Sequence, residues 1–222
     1  MTIVQKKQQI VVLGLGVFGE TIARELTRLG HDVLGIDSDE HIVDRLSENI
    51  THAVIADVTD EQAVEELNIS DYDVGVVAIG RNFEGTILAT MHLLNLGIPK
   101  IWAKALTLQH QKILQRLGVH RVIAPEFEMG VRIAQELNYP RVQNYIGLGD
   151  EQYIVEVVAG EALAGRGLTD ILAQTGAEIT PLVIKRGGDC RLSPTNTATL
   201  EKGDQLVLGG ALDEFRKIAD YL

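Results

Sequence analysis

Six short runs of apolar, largely β-branched residues recur through the first two-thirds of the chain: IVVLG (10–14), VLGID (33–37), AVIA (53–56), VGVVAIG (74–80), KIWAK (100–104) and RVIA (121–124). Nearly every residue in them is apolar, rather than every second one. That pattern predicts strands covered on both faces, as in a parallel sheet. Between the runs the period changes to 3.6. From Glu20 to Leu29 the apolar residues Ile22, Ala23, Leu26 and Leu29 form one stripe, and Gly30 sits where a C-terminal cap belongs. The same spacing predicts helices over 39–46, 61–67, 84–96, 108–117 and 129–137. Gly97 and Pro99 stop the fourth of these six helices, and Gly118 the fifth. Strand–helix alternation repeated six times predicts a Rossmann-like, doubly wound α/β domain over residues 1–140.

After Asn138-Tyr139-Pro140 the rhythm changes. YIVEVVA (153–159), EITPLVIKR (178–186) and DQLVLGG (204–210) alternate in polarity. A short helix near 168–173 lies among them and a last helix covers 213–221. This predicts a small α+β module over residues 141–222, entered through a linker around 144–149. No internal repeat and no low-complexity segment interrupts either part.

Composition narrows the function classes. The 222 residues are 45% hydrophobic and 23% charged, as in an ordinary globular protein, and the net charge is -11. Such a field repels a phosphodiester backbone and an anionic membrane surface, so nucleic acid is not an expected partner. Cys190 is the sole cysteine, which rules out an intramolecular disulfide and fits a reducing cytoplasm. The start, MTIVQKKQQI, lacks an apolar core for a secretory leader. No apolar run approaches the ~20 residues that cross a bilayer, so direct membrane insertion is not expected.

Candidate chemistry centres on the first strand–helix junction. Gly14-Leu15-Gly16-Val17-Phe18-Gly19 is a G-x-G-x-x-G turn, in which Gly14 makes the tight bend, Gly16 clears space for phosphate oxygens and Gly19 lets helix and strand approach. The helix that follows offers free N–H groups and a positive dipole end to an anion. Asp37 ends the second strand 18 residues after Gly19, where a carboxylate bonds ribose hydroxyls. A carboxylate repels a 2′-phosphate and no arginine follows it, which argues against NADP. NAD(H), ATP, ADP and AMP remain open. Asp57, Ile79 and Gly80 end the third and fourth strands, where a doubly wound sheet meets its ligand. Lys104 and Glu126 follow later strands, with chemistry suited to phosphate and to Mg²⁺. The six histidines (31, 41, 52, 92, 110 and 120) show no metal-ligand spacing. The second module contains none, so the proton donor of a dehydrogenase is missing there. A nucleotide binder that is not an enzyme is the expectation, with an NAD-dependent oxidoreductase as the alternative.

The order and spacing of VVLGLGVFGETIARELTRLGHDVLGID, THAVIADVTDE, VGVVAIG, KIWAKA, LGVHRVIAPEFEMGVRIA and GDCRLSPTNTATLEKGDQLVLGG resemble the RCK (regulator of K⁺ conductance) proteins. These are the cytoplasmic gating subunits of Trk and Ktr potassium uptake systems. The resemblance covers essentially the whole chain, and one N-lobe with one C-lobe resembles the Ktr type. It implies a homo-oligomer, dimers assembled as an octameric ring, that binds ATP or ADP between N-lobes. It also implies docking beneath an integral-membrane potassium-translocating subunit at the inner face of the cell membrane. Residue by residue, it assigns Gly14, Gly16, Val17, Phe18 and Gly19 to the phosphate turn, Asp37, Ser38 and Asp39 to the ribose, and Asp57 and Val58 to adenine. Ile79, Gly80 and Arg81 form the loop after the fourth strand, Lys104 and Ala105 a phosphate-side contact, His110 a further contact, and Glu126 a Mg²⁺-associated carboxylate. Val17 departs from the pattern, since Ktr-type relatives typically carry an arginine there that reaches a terminal phosphate. That departure keeps an NAD(H)-responsive subunit as the alternative, with Arg81 a candidate substitute for the missing charge. Some family members bind a cyclic dinucleotide in the C-lobe; this sequence carries no residue pattern for it.

Overall fold

The computed structural model describes residues 6–80, 82–138, 142–192, 199–219 and 221. The chain forms two compact units, Met1–Phe127 and Glu128–Leu222. In the first, the six apolar runs become β1 (Gln9–Leu13), β2 (Asp32–Asp37), β3 (His52–Ile55), β4 (Val74–Val77), β5 (Ile101–Lys104) and β6 (Arg121–Ile123). They lie in one parallel sheet in the order β3-β2-β1-β4-β5-β6. The helices are α1 (Val17–Arg28), α2 (Glu40–Leu46), α3 (Glu61–Glu66), α4 (Phe83–Asn95) and α5 (Leu108–Leu117), and α6 (Pro125–Asn138) follows β6. The Rossmann-like, doubly wound architecture is therefore present as expected.

Burial explains why the strands read as continuous apolar runs. On β1, Val11 and Leu13 pack with Val64 of α3, Leu93 of α4 and Leu114 of α5. Ile10 and Val12 point to the opposite face, with Ala23 of α1 and Val43 and Leu46 of α2. The order of winding reverses between β1 and β4, which opens a crevice at their carboxyl ends. Two of the six histidines stitch strand edges: His31 Nδ1 accepts the Gln8 N–H at 3.2 Å, and His120 Nδ1 accepts the Ile101 N–H at 3.1 Å.

The second unit holds a five-stranded antiparallel sheet in the order β10-β9-β11-β8-β7. Its strands are β7 (Val142–Gly149), β8 (Gln152–Val158), β9 (Thr180–Arg186), β10 (Asp189–Leu192) and β11 (Gln205–Ala211), with helices α7 (Leu168–Thr175) and α8 (Leu212–Lys217). Val155, Val157, Leu168, Ile171, Leu206, Leu208 and Phe215 form its core.

Several boundaries differ from the sequence expectation. The stretch 144–149, expected as a linker, belongs to edge strand β7, which pairs with β8 through two register shifts. Its outer half is exposed, so no burial alternation marks it, and its glycines imitate a loop. The hairpin turns at Asp150 and Glu151, both with positive φ. Strand β10 was not expected; all four of its residues are exposed. Helix α1 begins at Val17 rather than Glu20, where the glycine turn runs straight into the helix, and α6 begins at Pro125 rather than Met129, its residues 126–128 being exposed and carrying no apolar stripe. Proline suits a first helical position, where its missing N–H costs nothing. The last helix ends at Lys217, short of the expected 221.

One ion pair closes the second unit. Asp204 is 1% exposed, and Arg186 donates to both of its oxygens, from Nε at 2.7 Å and Nη2 at 2.8 Å. The Glu201 N–H adds a third bond at 2.8 Å. The Arg186 hydrogen bond holds the Asp204 carboxyl below the usual carboxylate range, against a smaller upward push from burial. Asp204→Ala is expected to destabilise this unit by roughly 1.5–3 kcal/mol, because Arg186 stays partly exposed and can rehydrate. The carboxylate's lowered folded pKa makes its contribution fully present above the unfolded value of about 3.9. That contribution is lost as pH falls through the folded value. Thermal melts of both proteins between neutral and acid pH should converge at the acid end.

Candidate functional site

Three glycines build the floor of the crevice, for three reasons. Gly14 turns the chain at φ +90°, and a side chain there would press within 3.2 Å of the Ala78–Ile79 backbone. A Cβ on Gly19 would lie 1.9 Å from the Gly14 carbonyl oxygen, so that contact admits no side chain. Gly16 faces open space within 4 Å. It is also the N-cap of α1, with extended backbone and no side-chain hydrogen bond. The first N–H groups of α1 are therefore left for a ligand, with the helix dipole behind them.

Two carboxylates stand on one side of this floor. Asp37 Oδ2 accepts the Leu15 N–H at 2.6 Å, and Oδ1 accepts the Asp39 N–H at 3.0 Å. Each oxygen keeps a further lone pair. Asp57 Oδ1 accepts both the N–H and the hydroxyl of Thr59, at 2.9 and 2.7 Å. The Thr59 hydroxyl and backbone bonds hold the Asp57 carboxyl below the usual range, outweighing desolvation. Gly14, Gly16, Asp37, Ser38, Asp57, Val58, Ile79 and Gly80 line one crevice of about 570 Å³. That is within the size range of a small-molecule site.

Beside Gly80 sits a cation that is already paired. Lys104 is 9% exposed, and its Nζ donates to Glu126 Oε1 at 2.5 Å. The same ammonium lies 5.4 Å from the Phe18 ring centroid and would come within 4.0 Å of a Cβ on Gly80. Burial pushes the Glu126 carboxyl up, but the Lys104 hydrogen bond and charge, with a backbone bond, leave it lowered overall. No group of three or more metal-ligating side chains occurs among the described residues. Nor is any helix among them long and apolar enough to cross a membrane.

The sequence and the fold are similar to those of known proteins. A sequence model of the TrkA-N domain matches residues 10–125. The chain is 40% identical to the Ktr system potassium uptake protein A of Bacillus subtilis (strain 168), over 96% of each chain. The chain belongs to the Ktr-type TrkA-N family. It is also 33% identical to the Ktr system potassium uptake protein A of Vibrio alginolyticus, over 93% of this chain and 94% of that one. Among solved structures its fold resembles the GsuK RCK domain, with TM-score 0.66 and 17% identity. It also resembles the GsuK channel bound to NAD, with TM-score 0.62 and 17% identity. Both likenesses cover 98% of this chain but only 48% and 40% of those longer chains.

Within the Ktr-type frame the expected site residues separate into groups. The eight crevice-lining residues come together, with Gly19 packed beneath them. Asp39 instead caps α2, accepting the His41 N–H at 2.9 Å. Val17 is 87% exposed, on the outer side of α1. Phe18, Lys104 and Glu126 form the second cluster already described, beside which Ala105 is buried. His110 does not line the crevice; its ring stacks on Phe83 at 3.6 Å between centroids, nearly parallel. Arg81 lies outside the described residues. The crevice also uses residues that sequence reasoning passed over, namely Ile36, Ile42, Ala56, Thr59, Ala78, Asn82 and Gly85. Asn82 had a visible signal, an asparagine just before an apolar-periodic segment. It caps α4 by accepting the Gly85 N–H at 3.0 Å.

The glycines make opposite demands that can be tested. Gly19→Ala is expected to cost about 1–3 kcal/mol in thermal stability, since the backbone must shift to admit the methyl group. Gly16→Ala fills empty space and is expected to change stability by roughly 0.5 kcal/mol or less. Any ligand whose phosphates approach that turn should nevertheless bind it less well. Paired melts with and without nucleotide separate the two effects.

Proposed function

We propose that this chain is the nucleotide-sensing regulatory subunit of a potassium uptake system. In this reading ADP or ATP occupies the crevice, with phosphates on the Gly14–Gly19 turn and the α1 N-terminus, ribose hydroxyls on Asp37, and adenine beside Asp57 and Val58. The observation that carries it is the pairing of an uncapped helix start with a carboxylate fixed against the same turn by the Leu15 N–H. The potassium assignment comes from the names of the relatives, both potassium uptake proteins. The chain then works by differential affinity of two conformations for nucleotide, without bond breaking. It acts at the cytoplasmic face of the cell membrane through an integral-membrane potassium-translocating partner.

Oligomerisation belongs to the same reading. In the first unit, Leu108 and Ile113 on α5 and Phe127 at the start of α6 are large exposed apolar side chains. A second copy of the chain would cover them, giving the dimers from which an octameric ring is built. Magnesium fits only in part. Glu126 offers one carboxylate, already bonded to Lys104, so Mg²⁺ there would take its other ligands from phosphate oxygens and water.

NAD(H) is the second reading, and Val17 favours it. An exposed valine offers no donor to a terminal phosphate, whereas a dinucleotide presents none.

Thermal shifts with ATP, ADP, AMP, NAD⁺ and NADH, each with and without Mg²⁺, alongside native mass, test the proposal. Stabilisation by ADP or ATP in an oligomer is expected; a monomer that responds to none of them would falsify it. Preference for NADH over the adenine nucleotides would select the second reading. Asp37→Ala should remove the shift for every adenosine ligand. Val17→Arg should strengthen ATP over ADP by one to two decades, the value of a charge-assisted hydrogen bond of roughly 1.5–3 kcal/mol.

A further inference from the structure

Helix α4 carries a buried histidine that does not itself line the crevice. His92 packs with its Nε2 at 3.2 Å from the Thr59 carbonyl oxygen. A carbonyl can only accept, so Nε2 carries the proton and donates. Nδ1 is then a lone-pair acceptor, and it is buried with no hydrogen-bond partner among the described residues. A leucine would fill similar space without stranding a polar atom. Packing alone therefore does not account for an imidazole here. The bond to Thr59 is what it supplies.

Thr59 is in turn the residue that fixes Asp57. Its N–H and hydroxyl both bond Asp57 Oδ1, which leaves Oδ2 without a hydrogen-bond partner among the described residues. Asp57 and Thr59 both line the crevice. Thr59 is also held from a second point on α4. A Cβ on Gly85 would lie 3.2 Å from the Thr59 methyl carbon, so that glycine lets the loop sit directly on the helix. Gly85, Ala89 and His92 follow i, i+4, i+7 spacing and share one helix face. The loop after β3 is thus gripped by packing at Gly85 and by a hydrogen bond at His92.

We propose that His92 is a positioning residue for base recognition: by holding Thr59 it aims the free oxygen of Asp57 at the exocyclic amino group of a 6-aminopurine. This rests on the nucleotide reading above and deepens it. An ionised carboxylate accepts and cannot donate, so it rewards a base that presents N–H₂ at that edge. The lowered Asp57 pKa keeps it in that form at neutral pH.

The test compares ADP with purine riboside 5′-diphosphate, which lacks the 6-amino group, by calorimetry on the full chain. The native protein should prefer ADP. His92→Leu should weaken ADP by roughly tenfold, about one hydrogen bond to a charged acceptor, and leave the deamino analogue nearly unchanged. His92→Gln, whose amide can reach the Thr59 carbonyl, should restore much of the preference. Unliganded melts should show His92→Leu as stable as the native protein or more so. Equal losses for both ligands in His92→Leu, or no loss for either, would overturn the proposal. So would a native protein that binds both ligands equally, although the nucleotide reading would then stand. If neither ligand binds the native protein, the nucleotide reading itself falls.

Discussion

The hydrogen bond from the Leu15 N–H to Asp37 Oδ2, 2.6 Å long, organises the first unit's ligand side. It joins the end of β2 to the turn after β1, so the acid and the glycine turn cannot move independently. Gly14 reinforces the join, donating its N–H to the Ile36 carbonyl at 2.8 Å. Both bonds depend on β1 and β2 lying side by side in parallel, which depends in turn on apolar side chains filling both faces of the sheet. Asp37 therefore has a structural duty and, in the proposed reading, a recognitional one as well. A carboxylate with two oxygens and several lone pairs can perform both at once.

How much of this was legible in the sequence varied with burial. The parallel sheet was legible because strands covered on both faces leave continuous apolar runs, and those runs matched β1 to β6. Strands β7 and β10 were not, because an exposed edge strand imposes no apolar pattern. Asn144 in β7 shows the alternative. It accepts a hydrogen bond from Arg132 and donates one to Glu156 at 2.8 Å, so polar side chains tie the strand without any periodic signature.

At the candidate site the legible residues were those with a fixed motif spacing. Gly14, Gly16, Asp37, Asp57 and Gly80 lie together as strand-end reasoning requires. Thr59 and Asn82 escaped notice because their roles are local backbone bonds, which threonine and asparagine make in many turns. His92 was counted among scattered histidines, since a single buried imidazole in a helix has no spacing to announce it. Its partner lies 33 residues away and becomes adjacent only when α4 packs beside the loop after β3.

The Lys104–Glu126 pair has a consequence for how a ligand arrives. Lys104, beside the crevice at Gly80, shares its charge with the Glu126 carboxylate, while Asp37 and Asp57 place two further acidic side chains on the crevice wall. The chain as a whole is at -11. In the nucleotide reading an anionic ligand would meet a net field of its own sign, with the N–H groups at the start of α1 as its short-range attraction. Ionic strength should then act in the unusual direction. Salt screens the repulsion over a Debye length of about 10 Å at 0.1 M. The encounter rate should accordingly rise as salt is added, where a lysine-lined phosphate site would see it fall.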